Sequence, residues 1–210
     1  MKKLLFLASG RGSCFQAVAH AIGDASLAGA QIVGLICNKA SAPVVDIAES
    51  RGIPTTVLSR ELFMDSRGKW NRASYEQALV EAITAHAPDW ICLAGYMLLL
   101  APDTVRRWPG KIINIHPSLL PAYPGLHAQK QALEAGAKVT GCTVHLVTEG
   151  LDDGPIIEQT PVDILAGDTE ETLSARLLPL EHATYVRALS KLCAHTFTVK
   201  DNRVVWDLSK

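Results

Sequence analysis

Short apolar runs alternate with stretches of helical period from residue 3 to residue 115, and this alternation restricts the fold more than any other feature. Segments 3–8, 31–37, 55–58, 89–94 and 111–115 read as strands. Between them, 15–22, 44–51, 75–86 and 104–108 carry apolar side chains at the spacing of amphipathic helices. Pro88 and Pro102 stand where helices should stop or start. Strands apolar on both faces, joined by helical crossovers, make a parallel sheet covered on both sides.

After Gly125 the pattern changes. Segments 140–147 and 155–164 are longer, more alternating strands, and 170–195 reads as one long helix that Pro179 should kink or divide. The tail, 196–206, reads as a hairpin turning at Lys200-Asp201-Asn202. The expected fold is α/β: three layers, α/β/α, around a mostly parallel, Rossmann-like twisted sheet with a mixed C-terminal part. Residues 1–210 are expected to form one domain, with 1–100 as a phosphate-binding half, 101–195 as a catalytic half and 196–210 as the hairpin.

Composition limits the partners. The chain is 48% apolar and 20% charged, which excludes disorder over most of its length. A formal net charge of −1 argues against nucleic acid or an anionic membrane as partner. No apolar run approaches the about 18–20 residues of a membrane span. The opening Met1-Lys2-Lys3 imitates a signal peptide, but its apolar run meets Ser9-Gly10-Arg11-Gly12 too soon, so a buried first strand is the better reading. Cys14, Cys37, Cys92, Cys142 and Cys193 are odd in number and form no C-x-x-C, as in a reduced, cytoplasmic chain.

The glycine-bearing turn Ser9-Gly10-Arg11-Gly12-Ser13-Cys14 falls where a doubly wound sheet places its first strand-to-helix connection. A helix start there offers free N–H groups and a positive dipole end. A dinucleotide fingerprint requires a third glycine where Phe15 stands, and an acidic residue where the second strand ends in Cys37-Asn38-Lys39. A dinucleotide is therefore disfavoured. A single phosphate, or a tight turn without ligand, fits.

Asn114 and His116 lie two apart near the end of an apolar strand, so both point to one face. Carboxyl ends of strands are where open α/β sheets bind ligands. An amide beside an imidazole can polarise a carbonyl and stabilise an oxyanion while the imidazole moves a proton. A buried pair satisfying its own backbone is the plain alternative. The rigid Pro117-Ser118-Leu119-Leu120-Pro121-Ala122-Tyr123-Pro124-Gly125 that follows favours a site.

Thr143, His145 and Val147 share a strand face, and the loop Thr148-Glu149-Gly150-Leu151-Asp152-Asp153-Gly154 brings three carboxylates. A carboxylate beside His116 would favour its protonated form. A solvated acidic turn is the alternative. No two histidines stand three or four apart, and no H-E-x-x-H occurs, so no metal is expected.

The blocks Asn114-Ile115-His116-Pro117-Ser118-Leu119-Leu120-Pro121 and Tyr123-Pro124-Gly125-Leu126-His127 resemble the signature of the folate-dependent glycinamide ribonucleotide formyltransferases. So do Ser9–Ser13, Gly141-Cys142-Thr143-Val144-His145, Leu151-Asp152-Asp153-Gly154-Pro155-Ile156-Ile157 and Glu181-His182-Ala183, spread over essentially the whole chain. The resemblance implies transfer of a formyl group from 10-formyltetrahydrofolate, as co-substrate, to the amine of phosphoribosylglycinamide in purine synthesis. It implies that Asn114, His116 and Asp152 carry the chemistry. Phosphoribosylglycinamide contacts fall on Gly12, Ser13, Cys14 and Glu181. Folate contacts fall on Arg72, Met97, Leu98, Leu99, Leu100, Asn114, Thr148, Glu149, Gly150, Leu151 and Asp152, with Arg67 as the alternative arginine.

This chain departs from the family pattern at Cys14, where relatives carry Asn, at Leu98, where they carry a basic residue, and at Asp153, where they carry glycine. The segment 59–70 is longer than the family pattern. Formyltetrahydrofolate hydrolases share the trio but add an N-terminal regulatory domain, and methionyl-tRNA formyltransferases add a basic C-terminal one. The implied partners are small molecules, with no nucleic acid or membrane, acting on a monomer or homodimer. A non-catalytic nucleotide- or folate-binding protein would have no evident use for a carboxylate beside His116.

Overall fold

In the computed structural model, which describes residues 1–207, strand β1 (Lys2–Ala8) lies inside the sheet with both faces covered. Leu4, Phe6 and Ala8 enter one core and Leu5 and Leu7 the other, all fully buried. A strand with two apolar faces belongs between two helical layers. β2 (Ala30–Cys37), β3 (Thr55–Val57), β4 (Trp90–Leu93) and β5 (Ile112–His116) join it in parallel. β6 (Val139–Leu146) and β7 (Ile156–Asp163) continue antiparallel, and the hairpin β8 (Thr196–Lys200) and β9 (Arg203–Asp207) closes the far edge. Among the described residues the order is β3-β2-β1-β4-β5-β6-β7-β9-β8. The order reverses at β1 and β4, which is where such sheets open a ligand crevice at their carboxyl ends.

Helices α1 (Ser13–Gly23), α2 (Pro43–Ser50) and α6 (Glu170–Ala194) cover the face built around Phe6, and α3 (Arg72–His86) and α4 (Pro102–Arg107) cover the other. Phe6 meets Phe15 edge to face at 5.3 Å and Tyr185 at 6.3 Å, locking α1 and α6 to β1. The layered, largely parallel architecture is the one expected. Strand and helix ends fall within three residues of the readings above.

Two local differences are informative. Pro179 does not divide α6, which runs unbroken from Glu170 to Ala194. Leu173 and Leu177 before it, and Tyr185, Ala188 and Leu189 after it, are all buried, so packing carries the helix across. The carbonyl that Pro179 leaves without a helical donor belongs to Ala175, which is exposed and can turn to water. The second difference is α5 (Ala128–Glu134), a short polar helix with little periodicity, led by His127 in the left-handed region at φ 58°. Residues 196–207 form the expected hairpin, and Leu208, Ser209 and Lys210 of that reading lie outside the described residues.

Candidate active site

β5 brings its polar pair to the carboxyl end of the sheet, and β6 adds a third ring. The antiparallel register sets Asn114 opposite His145 and His116 opposite Thr143. The buried His145 donates from Nδ1 to the Leu146 carbonyl at 3.0 Å, since a carbonyl only accepts. Burial lowers its pKa and outweighs the pull of Asp152, leaving a neutral ring with a free lone pair on Nε2. Asn114 Nδ2 approaches that atom at 3.4 Å, which fixes the amide end of Asn114 and leaves its second hydrogen to spare.

His116 is 4% exposed, and each of its ring nitrogens faces an oxygen. Nε2 donates to the Tyr123 carbonyl at 2.9 Å, and Nδ1 lies 3.3 Å from Asp152 Oδ2. Two acceptors around one imidazole suit the ring that carries two protons. Asp152 reaches this position from a left-handed backbone, φ 50°, uncommon for a residue with a β-carbon. Its Oδ2 also accepts the Gly125 N–H at 2.8 Å, and its Oδ1 stands 3.6 Å from His145 Nε2.

The proline-rich loop is pinned through Thr143, which is fully buried. Its hydroxyl donates to the Ser118 carbonyl at 2.7 Å and accepts from Leu120 N–H at 3.0 Å and Gln159 Nε2 at 2.9 Å. The Tyr123 carbonyl and the Gly125 N–H are thereby held against His116 and Asp152. Gly154 is required as glycine, because a β-carbon there would overlap the Leu146 carbonyl.

These groups lie at the wall of a cavity of about 840 Å³. Arg72, Met97, Leu98, Leu99, Leu100, Asn114, Thr148, Glu149, Gly150, Leu151 and Asp152 all line it, so every residue assigned to folate on resemblance faces one space. His127 and His145 line it too. Arg67 is not among the lining residues and is paired with Asp65 at 3.8 Å, so of the two arginines it is Arg72 that faces the cavity. Arg72 Nη2 donates to the Leu99 carbonyl at 2.7 Å. Glu76 accepts Ala101 N–H at 3.1 Å and the Thr104 hydroxyl at 2.6 Å, tying α3 to the start of α4. The mixture of apolar walls and backbone groups suits a flat heteroaromatic ligand with a polar edge.

The glycine turn adjoins the cavity rim. Gly12 has φ 73°, and a β-carbon on it would strike Val44, so α2 packs where no other residue fits. It starts α1 without a side-chain cap, leaving N–H groups of the first turn available. Ser9 ties this turn to the cavity rim by accepting Met97 N–H at 2.9 Å. The Cys14 side chain is buried, and desolvation, then the nearby Glu181 and Cys142, push its thiol up to about 12. This turn therefore presents backbone N–H groups rather than a thiolate.

Burial pushes Glu181 up from its ordinary 4.5 to about 7, with the Arg11 guanidinium pulling the other way. A raised carboxyl contributes stability that is present below the ordinary value and is lost as pH rises through about 7. Discounted for partial exposure, the loss should amount to about 1–2 kcal/mol between pH 5 and 8. Urea unfolding across that range should show Glu181→Gln lacking this part of the decline. Parallel curves for the two proteins would refute the assignment.

Sequence reasoning did not identify Glu76, the Tyr123 carbonyl or the Gly125 N–H, and left His145 open. The signal for His145 was its strand face; Glu76 depends on how α3 docks on α4, and the other two on loop geometry. Among the described residues no cluster of three or more His, Cys, Asp or Glu could hold a metal ion. No helix among them is long and apolar enough to cross a membrane.

Comparisons with known proteins identify the family. The chain is 46% identical, over 92% of its length, to the trifunctional purine biosynthetic protein adenosine-3 of Drosophila pseudoobscura pseudoobscura, of which it spans only 14%. It is 42% identical to the phosphoribosylglycinamide formyltransferase of Bacillus subtilis (strain 168), covering 91% of this chain and 95% of that one. The crystal structure of glycinamide ribonucleotide transformylase 1 from Symbiobacterium toebii superposes with a TM-score of 0.89 at 38% identity, covering 98% of this chain and 94% of that one. The model of the formyl transferase family matches residues 2–189, and the chain belongs to that family.

Proposed function

We propose that this chain transfers the formyl group of 10-formyltetrahydrofolate to the amine of phosphoribosylglycinamide, a step of purine synthesis. The observation that carries the reading is the convergence of Asn114, His116 and Asp152 at one wall of the large cavity, with Asp152 Oδ2 3.3 Å from His116 Nδ1. The full-length match to the Bacillus subtilis enzyme supports the same acceptor. Folate occupies the cavity bounded by Arg72, 97–100 and 148–152. The phosphate of the acceptor meets the first turn of α1 at Gly12, Ser13 and Cys14, and Glu181 faces its glycinamide end. The protein works as one domain, a phosphate-binding half and a catalytic half closed by the hairpin, in the cytoplasm, as a monomer or homodimer. Its near-neutral charge supports small-molecule partners rather than nucleic acid or membrane.

The neutral amine attacks the formyl carbon, and the carbonyl electron pair moves onto oxygen. Asn114, with its spare amide hydrogen, and doubly protonated His116 stabilise that oxyanion. The folate nitrogen gains the Nε2 proton of His116, which leaves the Tyr123 carbonyl, and the ring takes up the proton that the amine nitrogen loses. The carbon–nitrogen bond to folate then breaks as the carbonyl reforms. Asp152 stabilises the ring while it is charged.

Formyl hydrolysis uses similar groups with water as acceptor, and one assay separates the two reactions. Consumption of 10-formyltetrahydrofolate should require phosphoribosylglycinamide and match formylated product one to one. Turnover at the same rate without the amine would replace transfer by hydrolysis, and no turnover in either case would remove the catalytic reading.

A further inference from the structure

We propose that Asn202, at the tip of the C-terminal hairpin, is a positioning residue that holds the Asp152 loop in its working shape. This rests on the formyl-transfer reading of the same site. Asp152 occupies a left-handed backbone at φ 50°, a conformation that persists in a residue with a β-carbon only when its surroundings dictate it. Several contacts supply that restraint locally. Gly125 N–H donates to Asp152 Oδ2 at 2.8 Å, and the Thr148 hydroxyl donates to the Asp153 carboxylate. Another comes from 49 residues away: Asn202 Nδ2 donates to the Asp153 carbonyl at 3.0 Å.

That carbonyl belongs to the peptide linking Asp153 to Gly154, next to the residue that faces His116. Behind the loop lies a cavity of about 290 Å³, bordered by Asp152, Asp153, Asn202 and Arg203. Side-chain packing therefore does not back the loop on this side. The loop has room to relax into, and the Asn202 amide spans the gap.

The hairpin is built to act as a fixed strut. Phe197 stacks on Trp90 at 6.1 Å and meets Trp206 at 5.5 Å, anchoring its base to the sheet. Beside the tip, Arg203 pairs in parallel with Ile156, the first residue of β7. The turn residues Asp201 and Asn202 have φ 49° and 57°, the two-residue geometry that favours Asn and Gly. Asn therefore serves the turn and supplies a donor, whereas glycine would serve only the turn.

That difference provides the test, made in the full chain. Asn202→Gly keeps the turn and removes the amide; Asn202→Asp keeps the shape and sets a carboxylate against the Asp153 carbonyl. Both should lower kcat by about 5–10-fold, the factor expected for one hydrogen bond. KM for both substrates should stay within about twofold and the thermal midpoint should fall by no more than about 2–4 °C. Combined with Asp152→Asn, Asn202→Gly should cost nothing further, because the group it positions is gone. Amide exchange at Asp153 and Gly154 should quicken in Asn202→Gly while exchange in β5 does not. Unchanged exchange in the loop overturns the proposal whatever the activity. So does an unchanged kcat, or an equal loss in the Asp152→Asn background. Faster loop exchange in a protein that never transfers formyl would instead retain the positioning contact and discard the reaction.

Discussion

Asp152→Asn is expected to lower the turnover of formyl transfer by about 10²–10⁴-fold while leaving KM for both substrates nearly unchanged. The two side chains have the same shape, so the cavity wall survives. What changes is charge and the set of acceptors. Asp152 Oδ2 accepts the Gly125 N–H and faces His116 Nδ1, so both of its neighbours present hydrogens. An amide oxygen there keeps the geometry but not the negative charge that favours the imidazolium. An amide nitrogen there meets Gly125 donor to donor. Either orientation weakens the proton donor while the stretch of cavity wall at residue 152 keeps its shape. Steady-state kinetics with each substrate varied in turn would check this, alongside thermal unfolding to show that the variant is folded. A rate within about threefold of the parent would remove Asp152 from the mechanism.

The parallel half of the sheet was legible because β1, β2 and β4 are apolar on both faces and the intervening segments are not. The alternation alone implies strands between helical layers. α5 was not legible: seven residues, mostly polar, make too few turns to display a period, and a left-handed His127 starts the helix without a side-chain cap. Pro179 misled in the other direction, since the burial of Leu177 and Tyr185 on either side outweighs one lost backbone bond. At the site, Asn114 and His116 could be paired from spacing alone, because a strand repeats every two residues. His145 joins them only through the register of β6 on β5, which no local pattern reveals. The Asn202 contact crosses 49 residues and depends on how the hairpin docks. Local periodicity thus exposes what one element presents, and the contacts between elements that shape Asp152 stay hidden until the elements are packed.

Asn114 tests the other half of the chemistry. Asn114→Ala should reduce kcat by about 10²–10³-fold, the cost of removing one preorganised donor from a developing oxyanion. The donor is preorganised because His145 is neutral and committed: its Nδ1 hydrogen goes to the Leu146 carbonyl, so Nε2 accepts from Asn114 at 3.4 Å. That contact orients the amide with one hydrogen on the ring and the second available to substrate. Asn114→Asp should be at least as damaging, since a carboxylate would confront both the His145 lone pair and the charge of Asp152, whose Oδ1 is already 3.6 Å from the same nitrogen. KM for 10-formyltetrahydrofolate should change by less than about threefold in Asn114→Ala, because the cavity is bounded by many other groups and the oxyanion exists only in the transition state. A loss confined to KM would make Asn114 a binding group for the ground-state carbonyl. A turnover close to the parent's would mean that His116 stabilises the oxyanion alone and that the Asn114–His145 pair serves packing.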